Sequence, residues 1–324
     1  MKAMVVKEAN GDFVLEDLPV PEPGPGQVRI EVEACGICHS DAFVKSGAFP
    51  GLEMPRVPGH EVAGKVHALG EGVTDYAVGD RVGVGWHGGH CFKCRACRRG
   101  LFINCENAKI CGISYDGGYA EYMVAPTEAL ARIPEELSAV EAGPLLCAGI
   151  TTYNALRNSG ARPGDVVAVQ YARRMGFRTV ALSRGTNKQE LAQKLGAHHY
   201  IDAKATNPAE ELQKLGGADV LLATAPHAKA IESVIDGLSS RGELMLVAAA
   251  HEPIGVNAFS MLSGRQIRGW PSGNALESED TMNFSALTDV RPQTEVFPLE
   301  EANAGFARVM DNSVRFRAVL EIKG

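Results

Sequence analysis

The chain is 324 residues long, carries a formal charge of −7, and is 45 % hydrophobic and 22 % charged, a balance that supports a buried core and excludes a wholly disordered protein. Its basic residues cluster only at Arg95, Arg98 and Arg99, so no patch for phosphate backbones is expected, and no apolar run reaches the ~20 residues of a membrane-spanning helix. With no apolar signal core in MKAMVVKEANGDF, a cytoplasmic protein of two domains is expected, at about 100–200 residues each, with neither nucleic acid nor membrane as a partner.

Residues 1–130 read as all-β. The apolar runs Val28–Val32 and Val62–Leu69 are separated by turn signals at 19–26, 70–72 and 78–80. Beyond about residue 150 the texture changes. Strand candidates at 166–169, Thr179–Leu182, Val220–Ala223 and Leu244–Ala248 alternate with helical patterns such as Lys188–Leu195 and Lys229–Leu238. Such alternation predicts a parallel, doubly wound sheet. The closing run Phe316–Ile322 reads as a strand that returns to the first domain. The expected class is thus α/β plus all-β.

Eight cysteines stand at 35, 38, 91, 94, 97, 105, 111 and 147. In an intracellular chain, clustered cysteines bind metal more often than they pair as disulfides. The string CFKCRACRRGLFINC places Cys91, Cys94, Cys97 and Cys105 within fifteen residues. Two-residue gaps let successive thiolates converge on one ion, and the longer gap folds back to close a tetrahedron; zinc favours four sulfurs in closed structural sites. The rivals are coincidental surface cysteines and a redox pair, but redox CxxC motifs open a helix after a strand and do not come in threes.

Three further segments, ACGICHSD, PGHEVAG and AGPLLCAGITTY, each hold a ligand type in a turn-like setting: Cys38, His60 and Cys147. Two thiolates and one imidazole leave a fourth position open, the pattern of a catalytic zinc. Taken alone, Cys147 reads more readily as a small buried hydrophobe.

These motifs, in this order, resemble the zinc-dependent alcohol dehydrogenases of the medium-chain dehydrogenase/reductase superfamily. The resemblance implies a GroES-like β-barrel catalytic domain over 1–152, completed by 287–324, and a Rossmann cofactor domain over 153–286. It implies two zinc ions per chain, one on Cys91, Cys94, Cys97 and Cys105, the other on Cys38, His60 and Cys147. Glu61 looks like the acidic residue that approaches the metal during ligand exchange. Asp41 looks like the carboxylate that orients His60, and Ser40 like the hydroxyl that relays the alcohol proton. Trp86 resembles the aromatic that narrows the substrate pocket, His39 a residue at the cofactor pyrophosphate, and Thr151 one near the nicotinamide. The implied activity is hydride transfer between a primary or short secondary alcohol, or an aldehyde or ketone, and NAD(P), in a homodimer or homotetramer. One departure stands out: Phe43 occupies the place of the family's relay histidine.

The nucleotide site breaks its own pattern. GDVVAVQ supplies a strand, yet the GxGxxG turn that should follow is absent, and YARRMGFRTVALSRG comes at once. A parallel crossover needs about 10–12 residues or more, whereas only eight, Tyr171 to Arg178, lie between Gln170 and Thr179, barely enough for a turn and a short helix. Three accounts are open: residues are absent from the sequence as written, a true deletion cripples cofactor binding, or the chain closes the crossover in shortened form. The second makes the protein a catalytically impaired zinc-binding homologue. At the end of the second strand, Ser183, Arg184 and Lys188 replace the carboxylate that binds the NAD ribose, so NADP(H) is favoured over NAD(H).

Overall fold

In the strand Gln27–Ile37 every second residue from Val28 to Ala34 is buried, and then Cys35, Gly36 and Ile37 are buried in succession. Period-two burial is what a half-exposed strand requires; the final run marks where the chain dives into the core just before Cys38. The protein is described here by a computed structural model covering residues 1–167, 169–248 and 252–322. It divides into two units, Met1–Ile150 with Ser272–Gly324, and Thr151–Pro271.

The first unit is built on a seven-stranded sheet, ordered Thr294–Pro298, Arg317–Glu321, Gln27–Ile37, Val62–Leu69, Arg81–Val84 and Leu130–Arg132, with Tyr122–Pro126 also paired to Gln27–Ile37. Its apolar faces enclose Val28, Ile30, Val32, Val62, Val82 and Val84, with Phe13, Tyr119 and Phe306 meeting edge to face. Each such Val or Ile contributes about 1.5–3 kcal/mol by leaving water. The C-terminal strand does return: Ala318 pairs with Ile37 and Leu320 with Cys35, antiparallel. The helix Ala275–Thr288 lies wholly in this unit and spans the boundary expected at 286/287.

The second unit holds two parallel three-stranded arrays, Val166–Val167 with Arg178–Ser183 and His199–Asp202, and Ala218–Ala223 with Leu238–Leu246 and Gln266–Gly269. Val166–Val167 lies against Ala218–Ala223, which gives the strand order 3-2-1-4-5-6 of a dinucleotide-binding sheet. The helices Gln189–Lys194 and Ala228–Ile235 fall where periodicity places them.

The first strand is shorter than the run 166–169 predicts. It ends at Val167, Ala168 lies outside the described residues, and a helix, Val169–Arg174, begins at once. The reason is length: residues 168–177 must make the whole parallel return to Arg178, so none remain for a phosphate-binding turn. No helix among the described residues is long and apolar enough to cross a membrane.

Candidate functional site

The four clustered cysteines converge. The sulfurs of Cys91, Cys94, Cys97 and Cys105 all lie within 4.8 Å of one another, and all eight cysteines are free. Backbone N–H groups point at the sulfurs: Cys94 donates to Cys91 Sγ at 3.4 Å, Cys97 to Cys94 Sγ at 3.5 Å and Asn107 to Cys105 Sγ at 3.3 Å. Donors aimed at sulfur favour thiolates, and those of Lys93 and Cys94 hold the Cys91 thiol down at about 6. Four sulfurs with their own amide donors fit a closed zinc site.

The dispersed constellation also closes. Cys38 follows the buried end of Gln27–Ile37, His60 precedes the strand Val62–Leu69, and Cys147 sits in a π-helical turn, Leu145–Gly149. Such turns occur inside helices and often at functional sites. Cys38 and Cys147 sulfurs are 3.8 Å apart. Their hydrogen bond, with His60 beside it, holds the Cys38 thiol well below its usual range although burial opposes this. His60 Nε2 is buried with no hydrogen-bond partner. A bare ring nitrogen facing two sulfurs fits zinc, because a bound cation supplies the partner that protein atoms do not.

Asp41, fully buried, organises this site. Its Oδ2 accepts from Cys38 N at 2.8 Å and from Tyr119 O–H at 2.9 Å. Its Oδ1 lies 3.2 Å from His60 Nδ1, close enough to pair although not aligned as a hydrogen bond. Carboxylates behind a ligating histidine fix its ring orientation, and removing one costs about 10–100-fold in metal affinity. Asp41→Asn is therefore expected to weaken zinc at the dispersed site by that factor in a chelator competition. An unchanged affinity would remove Asp41 from this role.

Glu61 is fully buried beside the constellation, and one of its oxygens lies within 4.8 Å of the Cys38, His60 and Cys147 ligand atoms. Burial pushes its carboxyl up to about 7 against the pull of the Arg317 guanidinium. Arg317 donates to Glu61 Oε1, a partner that sequence reasoning missed. Trp86 stands edge-on to the His60 ring at 5.0 Å and meets Phe49 at 6.1 Å. The Ser40 N–H points at Cys38 Sγ from 3.5 Å. Phe43 is exposed and packs edge-on against Phe49 at 5.9 Å.

The residues expected at the cofactor fall in both units. His39 is exposed in the first; Thr151 opens the second, which also carries Ser183, Arg184 and Lys188. Arg184 and Lys188 are exposed and have no ion pair among the described residues. The carboxylate that reaches this turn, Asp202, is occupied by the Gly185 and Lys204 N–H groups, at 2.6 and 2.9 Å. Two open cations and no spare carboxylate fit a 2′-phosphate. The pyrophosphate end does not follow the family pattern, since no glycine occurs between Asp165 and Met175.

Comparison with known proteins bears on this geometry. Residues 24–135 match the alcohol dehydrogenase GroES-like domain, and residues 166–287 match the zinc-binding dehydrogenase domain. The alcohol dehydrogenase patD of Penicillium expansum is 42 % identical over 333 residues, covering 98 % of this chain and 97 % of that protein. An alcohol dehydrogenase of Geobacillus stearothermophilus is 35 % identical over 337 aligned residues, covering 100 % of this chain and 99 % of its own. That alignment is longer than this 324-residue chain, so the relative has positions without a counterpart here. The crystal structure of an NAD-dependent alcohol dehydrogenase superposes with a TM-score of 0.90 at 28 % identity, over 100 % of both chains. Nothing in these likenesses favours an impaired homologue. The chain thus belongs to the zinc-dependent alcohol dehydrogenases of the medium-chain dehydrogenase/reductase superfamily, oxidoreductases with a GroES-like and a Rossmann domain.

Proposed function

We propose that this protein interconverts primary or short secondary alcohols with their aldehydes or ketones, using NADP(H) and two zinc ions per chain. The observation that carries the reading is the convergence of the Cys38 and Cys147 sulfurs on a buried, partnerless His60 Nε2. A zinc ion held there would supply Lewis acidity to the alcohol oxygen, and a bound nicotinamide would supply the hydride chemistry. The residues do the rest. Asp41 orients the imidazole, Ser40 takes the proton from the alcohol hydroxyl, and Trp86 narrows the approach and excludes water. Cys91, Cys94, Cys97 and Cys105 hold the second ion and keep their lobe folded. His39 and Thr151 face the cofactor, while Ser183, Arg184 and Lys188 take its 2′-phosphate. Ser40 accepts the alcohol proton only as its own hydroxyl proton passes on to solvent water, because Phe43 offers no acceptor at the outer end of the path. The setting is a cytoplasmic homodimer or homotetramer.

Turnover of a panel of short and branched alcohols with NADP, followed by nicotinamide absorbance, tests the activity; silence across the panel with full zinc occupancy would falsify it. Cofactor choice has its own check. Charge-assisted hydrogen bonds contribute about 1.5–3 kcal/mol each, so Arg184→Ala with Lys188→Ala, which removes two, is expected to cut the NADPH-over-NADH ratio of kcat/KM by at least about a hundredfold. A ratio near unity in the parent enzyme would contradict the assignment.

A further inference from the structure

Between Thr151 and Ile201 the sequence holds eight Lys and Arg but only two carboxylates, Asp165 and Glu190. In a chain of formal charge −7, this stretch therefore carries a surplus of six positive charges and the remainder an excess of thirteen negative ones. No run of the sequence announces it, because the cations stand apart and only the fold gathers them. We propose that this half of the second unit is an electrostatic funnel for the anionic dinucleotide, in which Arg173, Arg174, Arg178 and Lys194 speed cofactor capture without touching the cofactor once it is bound. The inference rests on the assignment of Ser183, Arg184 and Lys188 to the 2′-phosphate.

The fold sets the cations on two edges. The strands Arg178–Ser183 and His199–Asp202 run parallel, so their starts share one edge and their ends the other. Arg184 and Lys188 follow the end of the first strand, at the proposed phosphate site. Arg178 stands at its start, about 17 Å away along the strand. There it donates to His199 Nε2 at 3.2 Å and to the Leu215 carbonyl at 3.4 Å, while Arg173 meets His198 Nε2 at 2.8 Å. Arg173, Arg174, Arg178 and Lys194 are all exposed, and none forms a salt bridge among the described residues. Arg173, Arg174 and Lys194 close the last turns of the helices Val169–Arg174 and Gln189–Lys194, where a cation is favoured. That accounts for their places but not for the lack of carboxylates around them. Cations without a counter-charge leave their field open to solvent, and such a patch speeds the arrival of an opposite charge by about 10–10³-fold at low salt. A chain of net negative charge otherwise repels a polyanion, so a locally positive approach has a direct use here.

The test is stopped-flow binding of NADPH to the full-length, zinc-loaded enzyme, read by nicotinamide fluorescence. Ionic strengths of about 10 and 150 mM give screening lengths of about 30 and 8 Å, one longer and one shorter than the strand. The parent association rate is expected to fall at least about tenfold between the two, whereas repulsion by the net charge would make it rise. Arg174→Glu with Lys194→Glu is expected to slow association at least about threefold at low salt, to leave dissociation unchanged, and to match the parent at the higher salt. Lys109→Glu with Lys229→Glu makes the same change of net charge at exposed positions outside this stretch, and is expected to slow association by less than about twofold. A parent rate that does not fall with salt, equal slowing by the two pairs, or a loss that appears in dissociation overturns the proposal. Where the first pair does not fold, the sign of the parent's salt dependence decides alone. A parent that binds no NADPH at either salt contradicts the cofactor assignment itself, a distinct result with which the proposal also falls.

Discussion

Cys147→Ser is expected to lower kcat/KM for alcohol oxidation by at least about a thousandfold, roughly 4 kcal/mol of transition-state stabilisation. A serine hydroxyl at this point keeps the shape of the π-helical turn Leu145–Gly149 but does not ionise as a thiol does beside a metal. The site would then hold one thiolate and one imidazole, too few donors for a stable four-coordinate zinc. Lewis acidity at the alcohol oxygen contributes several kcal/mol, and its loss accounts for the size of the effect. Steady-state kinetics on the parent and the variant, with thermal melting to confirm folding, measure it. Turnover unchanged within a few-fold would mean that Cys147 is only the small buried side chain its isolated context suggests.

The second large effect concerns the crossover. Inserting a GxGxxG turn between Val167 and Val169 is expected to tighten NADPH binding by about a hundredfold. Such a turn presents backbone N–H groups to the pyrophosphate at a helix start, and two charge-assisted bonds contribute roughly 3 kcal/mol together. The present chain passes from Val167 to the helix Val169–Arg174 with no glycine to permit that approach. Under the proposed assignment its affinity rests on the adenosine end, at Ser183, Arg184 and Lys188. Fluorescence titration of NADPH into both forms decides the matter. Equal dissociation constants would show that the shortened crossover already holds the pyrophosphate.

Much of this was legible because it is local. The four cysteines announce a metal site through spacing alone, and Val62–Leu69 occupies the strand its alternation predicts. Phe316–Ile322 reads as the returning strand and is one, over Arg317–Glu321. What stayed hidden depends on distant register. Arg317 lies 256 residues from Glu61, and no neighbouring pattern marks it as a partner. Gly36 likewise looks like an ordinary strand glycine until the Glu61 carboxylate is seen against it. The helix Ala275–Thr288 escaped because its buried face sets one apolar residue, Met282, among the small polar Ser278, Thr281 and Ser285, which gives no apolar stripe. Its start was marked all the same by a capping box, Asn274 with Glu277.

The proposed function requires one ion held by Cys38, His60 and Cys147, in addition to one held by the four-cysteine lobe. Zinc counted per chain in metal-loaded, chelator-washed protein tests it most directly, with Cys147→Ser and Cys97→Ser alongside. Two zinc ions in the parent and one in each variant are predicted. A single zinc in the parent, or two retained by Cys147→Ser, would contradict the account.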